Sequence, residues 1–185
     1  MIISLIGYRG CGKSSVAALL ADRLGCESVD VDAEIVKIAG KTIAEIFAEE
    51  GEPTFRKLEA ETIQKILQQD DLILATGGGA VMNPQTCQLL QSTGPVVWLQ
   101  ATVEVITERL TGDAGTTENR PHLTATGGVA EIEQLLVERE PLYRGCASMS
   151  VDTSSKSIED VVAEITMLLP SDFLIRTPPA GDASA

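Results

Sequence analysis

The chain has 185 residues, 44% hydrophobic, 22% charged and 3% aromatic, with a formal net charge of −13. That composition belongs to a globular protein with room for one substantial core, and the acidity argues against a broad basic surface for nucleic acid or anionic membrane. With so few aromatics an extended base-stacking platform is excluded, although a few local arginines could still build a cleft for a small anion.

"IISLI" (Ile2 to Ile6) reads as a short buried strand and Lys13 to Leu24 as the helix that follows it. "ESVDVD" is a second strand ending in acids. Thr42 and Glu45 have capping-box spacing and open a helix that runs to about Glu50; a further helix spans roughly Pro53 to Gln69. "LILA" (Leu72 to Ala75) and "PVVWLQ" are the third and fourth strands, and "TVEVITERL" is a helix. From Gly112 to Gly128 the chain is rich in Gly, Thr, Asn and Pro without apolar periodicity, a length typical of lids. A helix then runs through Arg139, followed by a strand at "ASMSVD" and a last helix from about Ile158 to Leu168. Strands alternating with helices predict a mostly parallel sheet covered on both faces, as one domain over 1–169. The Pro/Ala-rich tail, 170–185, reads as disordered apart from Phe173 to Ile175.

No apolar run approaches the ~20 residues that span a bilayer, and the N-terminus shows no secretory signal. Cys11, Cys26, Cys87 and Cys146 form no CxxC pair, and there is one histidine, His122. These features point to reduced thiols in a cytoplasmic protein and away from a Cys/His metal site. His122, with no visible partner, reads as an exposed loop side chain.

"GYRGCGKS", Gly7 to Ser14, matches GxxxxGK[ST] between a predicted strand and a predicted helix. Its glycines let consecutive N–H groups turn inward toward phosphate oxygens, and the helix start adds a positive dipole end. Lys13 brings a cation to the β and γ phosphates and Ser14 offers a hydroxyl to magnesium, so this is a nucleoside triphosphate site. Cys11 lies inside the loop, where positive potential would lower its pKa and oxidation would block the nucleotide; the simpler reading is a small residue filling a loop position.

Phosphate-loop proteins often end a neighbouring strand in an aspartate for magnesium. Here "LILATGGGAV" carries Gly77, Gly78 and Gly79 at that point and no acid. Asp30 and Asp32 of "VDVD" are the substitutes: two apart in extended backbone, they point the same way, one toward the metal and the other toward a substrate hydroxyl.

The ordered set "GYRGCGKS", "DVD", "GEPTFRKLE", "TGGGAV", "NRPHL", "EREPLYR" and "VDT" resembles shikimate kinase from Ile2 to about Leu168. The resemblance implies an α/β, three-layer P-loop kinase fold: a five-stranded parallel sheet in order 2-3-1-4-5, helices on both faces, and a mobile lid at about 112–126. It implies transfer of the ATP γ-phosphate to the 3-hydroxyl of shikimate with Mg2+, on the route to chorismate and aromatic amino acids. Gly10, Cys11, Gly12, Lys13, Ser14 and Ser15 are then the nucleotide loop, joined by Arg120 of the lid and by Lys156. Ser14 and Asp30 serve the metal. Asp32 meets a shikimate hydroxyl and is the usual candidate base, Arg56 and Arg139 hold the carboxylate, and Gly77, Gly78 and Gly79 contact substrate through backbone. The substrate-binding segment is expected at about 32–60, and the working unit as a monomer with no nucleic-acid or membrane partner.

The chemistry of the residues agrees with these roles. A guanidinium grips a carboxylate through two parallel hydrogen bonds, and Glu59, three residues after Arg56 on a predicted helix, is placed to orient it. The departures fall at the adenine end, where Leu110 stands in place of a frequent arginine and Lys156 and Ile158 replace other common contacts. The lid, with "GDAGTTEN" before Arg120, is longer than in compact members. Rival readings are another small-molecule kinase of the same fold, such as a gluconate kinase, and a catalytically silent nucleotide-binding module. A guanine-reading NKxD element is absent.

Overall fold

The computed structural model describes residues 1–112 and 128–173. Strands β1 (Ile2–Ile6), β2 (Glu27–Asp30), β3 (Leu72–Ala75), β4 (Val96–Gln100) and β5 (Met149–Asp152) form one parallel sheet in the order β2-β3-β1-β4-β5. The described helices are α1 (Lys13–Leu24), α2 (Val31–Ala39), α3 (Ile43–Ile66), α4 (Pro84–Thr93), α5 (Val103–Gly112), α6 (Gly128–Cys146) and α7 (Ile158–Leu168). The expected fold class and strand order are therefore both found.

The two-residue period of the strands builds two cores from one sheet. Ile3 and Leu5 of β1, Ile73 of β3 and Val97 and Leu99 of β4 pack with α1, α5 and α7 on one face. Their neighbours Ile2, Ile6, Leu72, Leu74, Val96 and Trp98 pack with α2, α3 and α4 on the other. Helix α6 serves both layers: Ile132 and Leu135 join the first cluster, Tyr143 and Cys146 the second. Arg139 lies between these two pairs, on the stretch of α6 that passes from one layer to the other.

Three local readings are corrected. Strand β2 stops at Asp30, whose carboxylate caps α2 by accepting from Asp32 N (2.9 Å) and Ala33 N (3.2 Å). Asp30 and Asp32 thus do not share an extended backbone; Asp32 stands in the first turn of α2. Helix α4, which the periodicity did not suggest, buries only Thr86 and Leu90 and starts on an Asn83 cap with Pro84 in its first turn. Helix α6 does not stop at Arg139 but continues through Pro141 to Cys146. The N–H lost at Pro141 leaves the carbonyl of Val137, whose residue is 73% exposed, for water to satisfy.

The Thr42–Glu45 capping box is present, and α3 breaks at Gly51 (φ 81°) before resuming with Pro53. In the expected tail, Ser171–Phe173 form a short 3-10 turn with Phe173 packed on the first core, while 174–185 lie outside the described residues.

Candidate active site

The phosphate loop joins the end of β1 to the start of α1, at the carboxyl edge of the sheet where parallel α/β folds place their ligands. Lys13 is 8% exposed and folds back so that Nζ donates to the carbonyls of Gly7 (2.9 Å) and Tyr8 (2.8 Å). Gly12 caps α1 in a left-handed conformation with no side-chain bond, which leaves the first-turn N–H groups available to an anion. Ser14 Oγ donates to Asp30 Oδ2, while Asp30 Oδ1 is fixed by the start of α2. A cavity of about 720 Å³ opens over this loop, lined by Gly10, Lys13, Ser15, Asp30, Leu110 and Lys156 among others.

These residues fit a magnesium nucleotide. A hydroxyl and a carboxylate in contact are the hard oxygen donors that Mg2+ takes, usually one or two from protein with phosphates and water completing the shell. Among the described residues no group of three or more His, Cys, Asp or Glu could hold a metal ion by itself. Lys156 lines the cavity but is paired with Glu164 on α7. Cys11 is 1% exposed, and burial pushes its thiol up despite the opposing charges of Lys13 and Arg109. The activated-thiol reading of Cys11 is therefore corrected: it is a small buried residue of the loop.

A second, smaller cavity of about 50 Å³ adjoins the first. Asp32 and Arg9 line both, so the wall between them carries a carboxylate and a guanidinium. Gly77, Gly78 and Gly79 form the floor, with Arg56 and Arg139 above it and Phe47 and Phe55 as an apolar side. The floor must be bare. A Cβ on Gly79 would lie 2.3 Å from Arg56 Nη1, and one on Gly77 would lie 2.3 Å from Glu59 Oε1.

Arg56 Nη1 donates to Glu59 Oε2 at 2.8 Å, as the three-residue spacing suggested. Glu59 is 3% exposed; burial raises its pKa, with the nearby Arg56 and Arg139 working against that rise. Arg56 loses hydration too, but Glu59 and Glu52 outweigh this and hold its pKa above the ordinary value. Arg139 is 6% exposed, and its Nη1 lies 3.4 Å from the Gly78 carbonyl. Tyr143 Oη, one turn further along α6, donates to the same carbonyl at 2.5 Å.

Three buried polar atoms among the described residues have no hydrogen-bond partner: Tyr8 Oη, Arg9 Nε and Glu59 Oε1. All three belong to residues lining this small cavity. Buried polar atoms left unmatched are costly, so their gathering here marks a site shaped for a polar ligand.

Several contributors were not singled out in the sequence. Arg9 pairs with Glu131, a fully buried carboxylate on α6, at 2.7 Å. Arg109 holds the loop by donating to the Gly10 carbonyl (3.2 Å) and to Thr153 Oγ1 (3.0 Å) and O (2.8 Å). Glu52 and Tyr143 stand inside motifs that were quoted, yet only packing shows what they touch. Arg120, His122 and the lid segment from 113 to 126 lie outside the described residues.

A family model for shikimate kinase matches residues 9–170. A shikimate kinase of Rhodopirellula baltica is 40% identical over 169 residues, covering 91% of this chain and 90% of that protein. One from Geobacter metallireducens is 44% identical over 164 residues, covering 89% of each. Among solved structures, shikimate kinase from Acinetobacter baumannii in complex with shikimate superposes with a TM-score of 0.86 at 35% identity, covering 94% of this chain and 95% of that one. A nucleotide-sized cleft, a bare-floored cavity between two arginines, and matches of this extent agree: the chain belongs to the shikimate kinase family.

Proposed function

We propose that the two adjoining cavities divide the work of one phosphoryl transfer, the large one taking ATP and the small one its acceptor. The reaction is that of the family, ATP-dependent phosphorylation of shikimate on its 3-hydroxyl to give shikimate 3-phosphate. The observation that carries the assignment of the small cavity is its lining: two arginines over a glycine floor, with unmatched Tyr8, Arg9 and Glu59 atoms around it. That lining suits a compact ring bearing a carboxylate and several hydroxyls.

In this reading Arg56 and Arg139 take the carboxylate, and Gly77, Gly78 and Gly79 let the ring lie against backbone. Asp32, on the wall common to both cavities, accepts a hydrogen bond from the reacting hydroxyl and takes its proton as the bond to phosphorus forms. Lys13 leaves its two loop carbonyls to follow the charge that develops on the transferred group. Gly10, Cys11, Gly12 and Ser15 supply the loop that wraps the phosphates, and Arg120 is assigned to the transferred phosphoryl group. Lys156, tied to Glu164, has the weakest claim to a nucleotide contact. Ser14 and Asp30 would hold Mg2+, which supplies charge neutralisation across the β and γ phosphates.

The chain is taken to act as a cytoplasmic monomer without nucleic acid. The net charge of −13 argues against a nucleic-acid partner, and no helix among the described residues is long and apolar enough to cross a membrane.

The test is ADP release with MgATP and shikimate, run beside gluconate. Turnover with shikimate alone is expected; turnover with gluconate and none with shikimate would overturn the acceptor assignment. Nucleotide binding without turnover on either would favour a silent binding module.

A further inference from the structure

The transferred group has to pass from the large cavity to the small one, and Arg9, Asp32 and Ile43 line both. Arg9 is the cation on that passage. The phosphate loop rests against the glycine floor at this residue, since a Cβ on Gly78 would lie 3.3 Å from Arg9 N. The Arg9 side chain is 14% exposed, with Cζ 5.7 Å from the centre of the Tyr8 ring.

The basic side chains lining the two cavities differ in how far their donors are already spent. Arg56 commits Nε, Nη1 and Nη2 to Glu52 and Glu59, and Arg109 is tied to the Gly10 carbonyl and to Thr153. Lys156 is paired with Glu164, and Lys13 Nζ donates to two loop carbonyls. Arg139 lines the small cavity and not the large one. Arg9 spends Nη2 on Glu131 Oε1 (2.7 Å), while Nε is buried without a partner and Nη1 makes no hydrogen bond among the described residues. Glu131 is fully buried in the first turn of α6, so the ion pair fixes the guanidinium without using it up. A guanidinium that is fixed, poorly hydrated and short of acceptors is a preorganised site for an anion.

We propose that Arg9 is a catalytic residue of the phosphoryl transfer. Its unspent N–H groups hold the phosphoryl group as it crosses the passage and stay on the phosphate of the product, with Glu131 as the positioning residue. The inference rests on the division of the two cavities between ATP and shikimate. In the step, the acceptor's 3-oxygen forms its bond to the γ-phosphorus, and the bond from that phosphorus to the β–γ bridging oxygen breaks. The electron pair of the broken bond leaves with ADP, and the hydroxyl proton goes to Asp32. Negative charge stays on the outer oxygens of the moving group throughout. Lys13 meets that charge from the large cavity, whereas Arg9 borders both ends of the path.

The experiment pairs steady-state kinetics with calorimetric titration of shikimate and of shikimate 3-phosphate. The double variant Arg9→Gln with Glu131→Gln removes both charges and keeps a polar pair, so neither charge is left buried alone. Its kcat should fall by about a hundredfold, with the KM for shikimate within about threefold of wild type. Shikimate 3-phosphate should bind it about tenfold or more weakly than it binds wild type, while shikimate affinity stays within about threefold. Arg9→Lys keeps a cation opposite Glu131 and serves where the double variant does not fold. A point charge in place of the fork should lower kcat and product affinity by about threefold to tenfold and spare shikimate affinity. A kcat and product affinity left at wild-type values, or an equal loss for shikimate and its 3-phosphate, would overturn the inference and leave the acceptor assignment standing. Wild type that fails to phosphorylate shikimate would overturn both.

Discussion

Arg56 sets Nε (3.1 Å) and Nη2 (3.0 Å) on one carboxylate oxygen of Glu52, the residue one helical turn before it. With Nη1 on Glu59, the guanidinium assigned to the substrate carboxylate already holds two acidic partners. They are unequal. Glu59 is 3% exposed, a permanent partner that aims the arginine; Glu52 is 49% exposed and rivals an incoming carboxylate for the same fork.

Removing that rival should therefore help binding. Glu52→Gln is expected to lower the KM for shikimate by about two- to fivefold, the worth of a half-exposed ion pair, with kcat little changed. Steady-state kinetics with saturating MgATP measure it. A KM that rises severalfold would mean that Glu52 orients Arg56 rather than competing for it.

The bare floor gives a second expectation. In Gly79→Ala the new methyl group meets the tip of Arg56, a flexible side chain, so the protein should fold while Arg56 is driven from its place. A rise of about tenfold or more in shikimate KM with a melting temperature within about 3 °C of wild type is expected. Unchanged shikimate kinetics would show that this methyl group is accommodated without disturbing the site.

Much of this site was legible in the residues before any packing was known. The phosphate loop, the Thr42 capping box and the Arg56–Glu59 pair are local patterns, and local patterns survive in sequence. Helix α2 was missed because Val36 (38% exposed) and Ile38 (50% exposed) blur the apolar stripe set by Val31 and Ile35, so Asp32 was read as a strand residue. The Asn83–Pro84 start of α4 was a usable signal that periodicity alone did not weigh. Arg9–Glu131, Arg109–Thr153 and Tyr143–Gly78 join residues far apart in the chain, so no spacing rule exposes them.

Glu59 also gives the site a pH signature. Its pKa is raised in the folded chain, so the folded state binds the proton more tightly than the unfolded one. That contribution to stability is complete below the ordinary carboxylate value of 4.5 and is lost as pH rises through the folded value. The melting-temperature difference between wild type and Glu59→Gln should therefore shift in favour of wild type as pH falls from neutrality toward about 4.5. A difference that stays flat, or moves toward Glu59→Gln, would show that Arg56 outweighs burial at this carboxylate.

In the proposed function the small cavity holds the acceptor's carboxylate between Arg56 and Arg139, which both line it. Arg139→Ala tests it most directly, because Arg139 reaches the floor from the stretch of α6 that crosses between the two layers. The shikimate KM should rise by about tenfold to a hundredfold, as removal of a charged hydrogen-bonding partner implies, with the KM for MgATP within about twofold of wild type. A shikimate KM left where it was would contradict the account.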